Sequence, residues 1–94
     1  MGREERLLKV LAGLFVAVSE ISTSGCTRDQ VNSGILRLGF KAHNPHQLRK
    51  DLNWLIERKL VKMVKDSPKR KYLPTLKGQR LAENIIHVWK ELMK

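Results

Sequence analysis

Between positions 46 and 53 the chain places His46, Gln47, Arg49, Lys50 and Asn53. These side-chain types pair well with base edges: Arg or Lys with O6 and N7 of guanine, Asn or Gln with N6 and N7 of adenine. Their spacing matters as much as their chemistry. Leu48, Leu52 and Leu55 recur four and three residues apart, as one apolar stripe of a helix would. With that stripe facing a core, a rotation of about 100° per residue sends His46, Arg49, Lys50, Asn53 and Glu57 outward. Gln47 and Trp54 fall on the flank. A second cationic group follows, with Lys62 ahead of Lys65, Lys69, Arg70 and Lys71. It suits phosphate contacts or, with Arg70 at the tip of a turn, a minor-groove probe.

The charge of the whole chain agrees with these two groups. Its 94 residues hold 19 Lys and Arg against 9 Asp and Glu, a net of +10. Residues 41–71 hold ten positive and three negative side chains, a net of +7, leaving nine and six, or +3, for the rest. A polyanion is the partner such a balance implies, nucleic acid before a membrane surface.

Other chemistries find little support. His43, His46 and His87 are not at metal-ligand spacing and Cys26 is distant from them, so no metal site is expected. The single cysteine excludes an intrachain disulfide framework; it reads as a small inert residue near a helix start. There is no glycine-rich phosphate loop, no paired-carboxylate motif and no nucleophile–base order, so neither an enzyme nor a cofactor is expected. Five aromatic residues are too few for a single-strand stacking platform. The apolar run 7–18 is too short to cross a bilayer. A secretory reading fits poorly with Glu4, Glu5 and Lys9, and Arg6 stands where a myristoylation motif needs Ser or Thr. A cytoplasmic, nucleoid-associated location is expected, with no membrane contact.

The elements that must position the outward residues can be read in order. A first helix over 4–19 carries Leu7, Leu8, Leu11, Leu14, Phe15 and Val18 at helical spacing, with Val10, Ala12, Val16 and Ala17 filling much of its circumference. A helix apolar on most sides is buried on more than one, which points to a partner subunit. A connector over 21–26 with a brief strand leads to Thr27, an N-cap with Gln30 three residues on. That second helix has an inner stripe of Val31, Ile35 and Leu38 and closes at Gly39. Asn44 caps the third helix, with Pro45 at its first position, and the helix ends near Arg58. Alternation over 60–65 predicts a strand, 66–70 a turn, and 71–75 a return strand that Pro74 limits. A last helix over 76–93 has Leu81, Ile85, Trp89 and Leu92 in one stripe. Trp54 is expected to pack against the wing-like turn or the second helix.

Three stretches in this order carry a family likeness: Thr27-Arg28-Asp29-Gln30-Val31, Leu48 to Leu60-Val61, and Tyr72-Leu73-Pro74-Thr75-Leu76-Lys77-Gly78. With them the chain resembles winged helix-turn-helix proteins, in particular the small dimeric MarR-like and PadR-like transcription regulators. The resemblance covers nearly all of residues 1–94 and departs at Lys59, where the family has a helix-ending glycine, and at Pro74. It implies a single, mainly α domain with a small β-wing (α+β), in the order helix, brief strand, helix, helix, strand, wing, strand, helix. It implies a homodimer formed by the first and last helices, with Leu7, Leu11, Leu14, Leu81, Ile85, Trp89 and Leu92 at the seam. It also implies double-stranded DNA as partner and a repressor's role on a palindromic site. Some such regulators bind small aromatic effectors; no pattern in this sequence indicates one. Two further functions use the same residues: an architectural or replication-accessory DNA binder, and a winged helix serving as a protein-interaction module.

Overall fold

A computed structural model describes residues 2–65 and 68–92. Its elements are α1 (Arg3–Glu20), α2 (Arg28–Arg37), α3 (Pro45–Glu57), β1 (Val61–Lys65), β2 (Lys71–Pro74) and α4 (Leu76–Leu92). The expected turn residues Asp66 and Ser67, and Met93, lie outside the described residues.

Local signals set the helix ends. Thr27 Oγ1 accepts the Gln30 N–H at 3.3 Å while Gln30 Oε1 accepts the Thr27 N–H at 2.9 Å, a reciprocal cap at the start of α2. Asn44 Oδ1 accepts the N–H groups of His46 and Gln47, and Pro45 opens α3. At the end of α2 Gly39 takes a φ of +94°, and its neighbour Phe40 donates back to the Ile35 carbonyl at 3.2 Å. The end of α3 is built the same way although its residue is Lys59, with φ +61° and Leu60 donating to the Leu55 carbonyl at 3.0 Å. The departure at Lys59 therefore leaves the turn unchanged and places a side chain in a conformation that glycine adopts more readily.

β1 and β2 pair antiparallel, with Val61 opposite Pro74, Met63 opposite Tyr72, and a register shift between Met63 and Lys65. Only Val61 is buried on β1, which is exposed from Lys62 onward, while on β2 Tyr72 is buried in the core. The brief strand expected before α2 contracts to one bridge, Cys26 with Tyr72, closed by N–H···O bonds of 2.9 and 2.8 Å. Gly25, at φ +133°, turns the chain on one side of Cys26, and the Thr27 cap starts a helix on the other, so one residue is left extended.

α1 lies at the centre, packed on α2, α4, β2 and α3. Leu7, Val10, Leu11, Leu14 and Ala17 join Val31, Ile35, Leu48, Leu52, Leu55, Val61 and Tyr72 in one core. This corrects the dimer expectation for three residues. Leu7, Leu11 and Leu14 are 7, 1 and 0 % exposed within the single chain, so the apolar girth of α1 is consumed by its own neighbours. The α1–α2 crossing is close because Gly34 faces Gly13: a Cβ on Gly34 would overlap the Gly13 carbonyl. α4 is different, with only Gly78 and Ala82 buried.

Candidate nucleic-acid interface

α3 presents His46, Arg49, Lys50, Asn53 and Glu57 to solvent, as its stripe requires. Gln47 is the exception among the expected contacts. It is half-buried, and its side-chain N–H₂ donates to Asp51 Oδ1 at 3.0 Å. Asp51 points inward and is 2 % exposed. The Arg6 guanidinium of α1 reaches it twice, Nε to Oδ2 at 2.7 Å and Nη2 to Oδ1 at 3.1 Å. This bidentate pair pins the N-terminal half of α3 to the central helix. Sequence reading missed it, although at about 100° per residue position 51 falls about 40° from Leu55, at the edge of the inner face, where a carboxylate demands a cationic partner.

The turn that carries the Asn44 cap is held as well. Asn32 of α2 donates to the His43 carbonyl at 3.0 Å and accepts its N–H at 2.9 Å. The His43 imidazole is half-buried, and burial pushes it below its ordinary pKa; Asp51 opposes that shift while Lys9 and Arg6 add to it. Lys9 is 6 % exposed, with Nζ 3.3 Å from Glu5 and 4.5 Å from the centre of the Phe40 ring.

In the wing, Lys62, Lys65, Lys69 and Arg70 are exposed and Lys71 is half-buried. Lys69 and Arg70 share an open cleft of about 390 Å³ with Arg49 of α3 and Arg28 at the start of α2. The structure thus joins two groups that are separate in sequence and adds Arg28, which the cap at Thr27 had already placed at the first helical position. The Trp54 ring packs against the core and lies under the guanidinium groups of Arg58, at 4.4 Å, and Arg3, at 5.3 Å. Cys26 is fully buried, its thiol donates to the Ser22 carbonyl, and burial pushes its pKa up, which suits an inert residue.

On α4, Leu81 and Leu92 are exposed and Ile85 is half-buried. Trp89 turns toward its own chain, edge-on to Phe40 at 5.0 Å and 72°. Val88, 52 % exposed, takes the outward place in the stripe. No helix among the described residues is long and apolar enough to cross a membrane.

Two helices joined by a tight turn, then a two-stranded ribbon returning to a final helix, make this a winged helix-turn-helix fold. No family model matches the chain, and no curated protein does. Solved structures do. SSV1 F-93 superposes with a TM-score of 0.63 at 13% identity, covering 89% of both chains. MepR, a transcription regulator of the Staphylococcus aureus multidrug efflux pump MepA, gives 0.63 at 14% identity over 89% of this chain and 58% of its own. A mutant form of MepR, from a multidrug-resistant S. aureus clinical isolate, gives 0.61 at 17% identity over 99% and 60%. The chain spans less than two thirds of MepR, and at these identities the likeness is one of fold.

Proposed function

We propose that this protein is a double-stranded DNA-binding transcription regulator, a repressor that acts as a homodimer on a palindromic site. One observation carries the reading: the outward face of α3 and the wing together hold seven of the ten positive side chains of residues 41–71. His46, Arg49, Lys50 and Asn53 enter the major groove, while Lys65, Lys69, Arg70 and Lys71 meet the backbone or minor groove. Gln47 holds α3 in position through Asp51. Leu81, Ile85, Val88 and Leu92 form the dimer seam, which sets two copies of α3 about one DNA turn, roughly 34 Å, apart. The role of MepR as a transcription regulator supports the class. A cytoplasmic, nucleoid-associated location follows from the same reading.

The test is fluorescence anisotropy on genomic duplex fragments and random duplex across a salt series. A regulator binds one fragment about 10³-fold or more tighter than random duplex. Equal binding to all fragments with a steep salt slope would identify an architectural binder, the second reading the basic face supports. Asn53 separates the two, because an amide adds nothing to phosphate attraction: Asn53→Ala relaxes sequence preference in a regulator and changes little in an architectural protein. No duplex binding at low salt would overturn both and favour a protein-interaction module.

A further inference from the structure

We propose that the cleft between the start of α2, Arg49 and the wing seats one phosphodiester group of the DNA backbone, which makes Arg49 a backbone anchor and leaves base reading to His46 and Asn53. The proposal rests on the DNA-binding reading above and divides the labour within it.

Three segments far apart in sequence converge on this cleft, and the sign of their charge is one-sided. Among the described residues, Arg28, Arg49, Lys69 and Arg70 line it against one carboxylate, Asp29. Arg28 and Asp29 are the first two residues of α2, so their backbone N–H groups have no acceptor within the helix. The Thr27–Gln30 pair satisfies the N–H groups of Thr27 and Gln30 and leaves those two available. They add the positive end of the helix dipole to the same concavity.

A second observation is independent of the helix end. Tyr72 also lines the cleft and is 0 % exposed, and its hydroxyl is buried with no hydrogen-bond partner among the described residues. A buried donor without an acceptor costs free energy, and native proteins leave few of them. A phosphate oxygen, or a water held by one, supplies the missing acceptor. Arg28 is also fixed toward α3, donating to the Pro45 carbonyl at 3.4 Å, which leaves its other N–H groups for a ligand.

The geometry of α3 then assigns the roles. Taking His46 as zero and about 100° per residue, Asn53 lies about 20° to one side and Arg49 about 60° to that same side. Lys50 lies about 40° to the other. The middle of the outward arc, which faces base edges when the helix lies in a groove, therefore belongs to His46 and Asn53. Arg49 sits at the edge that borders the wing.

Two measurements test the proposal. In the first, dimethyl phosphate is titrated into the isotope-labelled protein and followed by NMR. The Arg28 and Asp29 amides and the Tyr72 ring are expected to shift together and saturably, and Arg49→Ala is expected to weaken that response. Shifts spread evenly over the surface lysines, with none concentrated at the cleft, would overturn the seat. In the second, the salt dependence of duplex binding is compared for the native protein, Arg49→Ala and Arg49→Lys. Arg49→Ala should weaken all duplexes by the same factor, about tenfold or more. It should also reduce the salt slope by about 1, with sequence preference unchanged and the slope kept in Arg49→Lys. An unchanged slope, or a loss confined to the preferred sequence, would overturn the anchor role. A saturable phosphate response in a protein that binds no duplex would uphold the seat and overturn the DNA reading, so the two failures are distinguishable.

Discussion

On the α3 side of the molecule the outward face carries cations, an imidazole, an amide and one carboxylate, Glu57. On α4 one stripe of apolar residues, Leu81, Val88 and Leu92, stands open to solvent at 37, 52 and 78 % exposure among charged neighbours such as Lys77, Arg80 and Glu83. One surface calls for a polyanion and weakens with salt as counterions are released. The other calls for apolar contact, which salting-out ions strengthen. The contrast arises because α1 occupies the single core of a small chain, leaving each remaining face to find its own partner. Beyond their apolar contacts with the core, the two faces carry different ties: α3 the Arg6–Asp51 pair, α4 the edge contact of Trp89 on Phe40.

The largest expected effect breaks both faces at once. Gly34→Ala drives a methyl into the Gly13 carbonyl, and the atoms it meets are backbone, which cannot rotate away. A cost of about 3 kcal/mol or more follows, a large fraction of the stability of a domain this size. Urea denaturation checks it, and a cost under about 1 kcal/mol would show that the two helices can separate freely. Next comes a change confined to the α3 side. Arg6→Ala leaves the buried Asp51 carboxylate, 3 % exposed, without its cation and with the Gln47 amide as its partner, whereas Asp51→Asn leaves an arginine that is 29 % exposed and can reach water. Arg6→Ala should therefore cost more, about 3 kcal/mol against about 1–2 for Asp51→Asn. Both should weaken duplex binding beyond their effect on folding, and both should leave self-association intact.

A third change tests the other side alone. Val88→Asp puts a charge into the proposed seam of each subunit, and dimerisation should weaken by about a hundredfold. Sedimentation equilibrium reads the change. Duplex affinity should fall through lost avidity while the salt slope per protomer stays the same. Undiminished self-association would move the interface away from α4.

Much of this contrast was legible in the sequence wherever it depends on local chemistry. The caps at Thr27 and Asn44, Pro45 at a helix start, and the Leu48–Leu52–Leu55 stripe each fix a geometry within a few residues. The outward set on α3 followed directly from them. What escaped reading depends on segments that meet only in three dimensions. Periodicity showed α1 to be apolar nearly all round and pointed to a second copy, whereas Leu7, Leu11 and Leu14 are covered by their own chain. On α4, Val88 and Trp89 are adjacent, and only Phe40, from a distant turn, decides which faces inward. The meeting of Arg28 with Arg49 and the wing is likewise a tertiary fact. The inward carboxylate of Asp51 was visible as an anomaly in the stripe, although Arg6 as its partner was not.

The smallest effect leaves both faces alone and tests the scaffold between them. Gly39 and Lys59 end their helices with the same bonds, Gly39 donating to Leu36 and Lys59 to Ile56, each at 2.9 Å. Only the second carries a Cβ in the left-handed region. It is held there from outside, because Thr75 Oγ1 donates to the Lys59 carbonyl at 2.7 Å while accepting the Gly78 N–H at 3.1 Å to cap α4. The α3 end and the α4 start are thus one hydrogen-bonded joint, and it sustains the strain of a non-glycine residue. Lys59→Gly removes that strain at about 1–2 kcal/mol but gives back part of it as unfolded-chain entropy. A net gain of about 0.5–1 kcal/mol remains, a rise in Tm of roughly 3–6 °C in a calorimetric scan. Sequence preference and self-association should not change. A loss of stability instead would mean that the aliphatic stem of Lys59 contributes more by packing than its backbone costs.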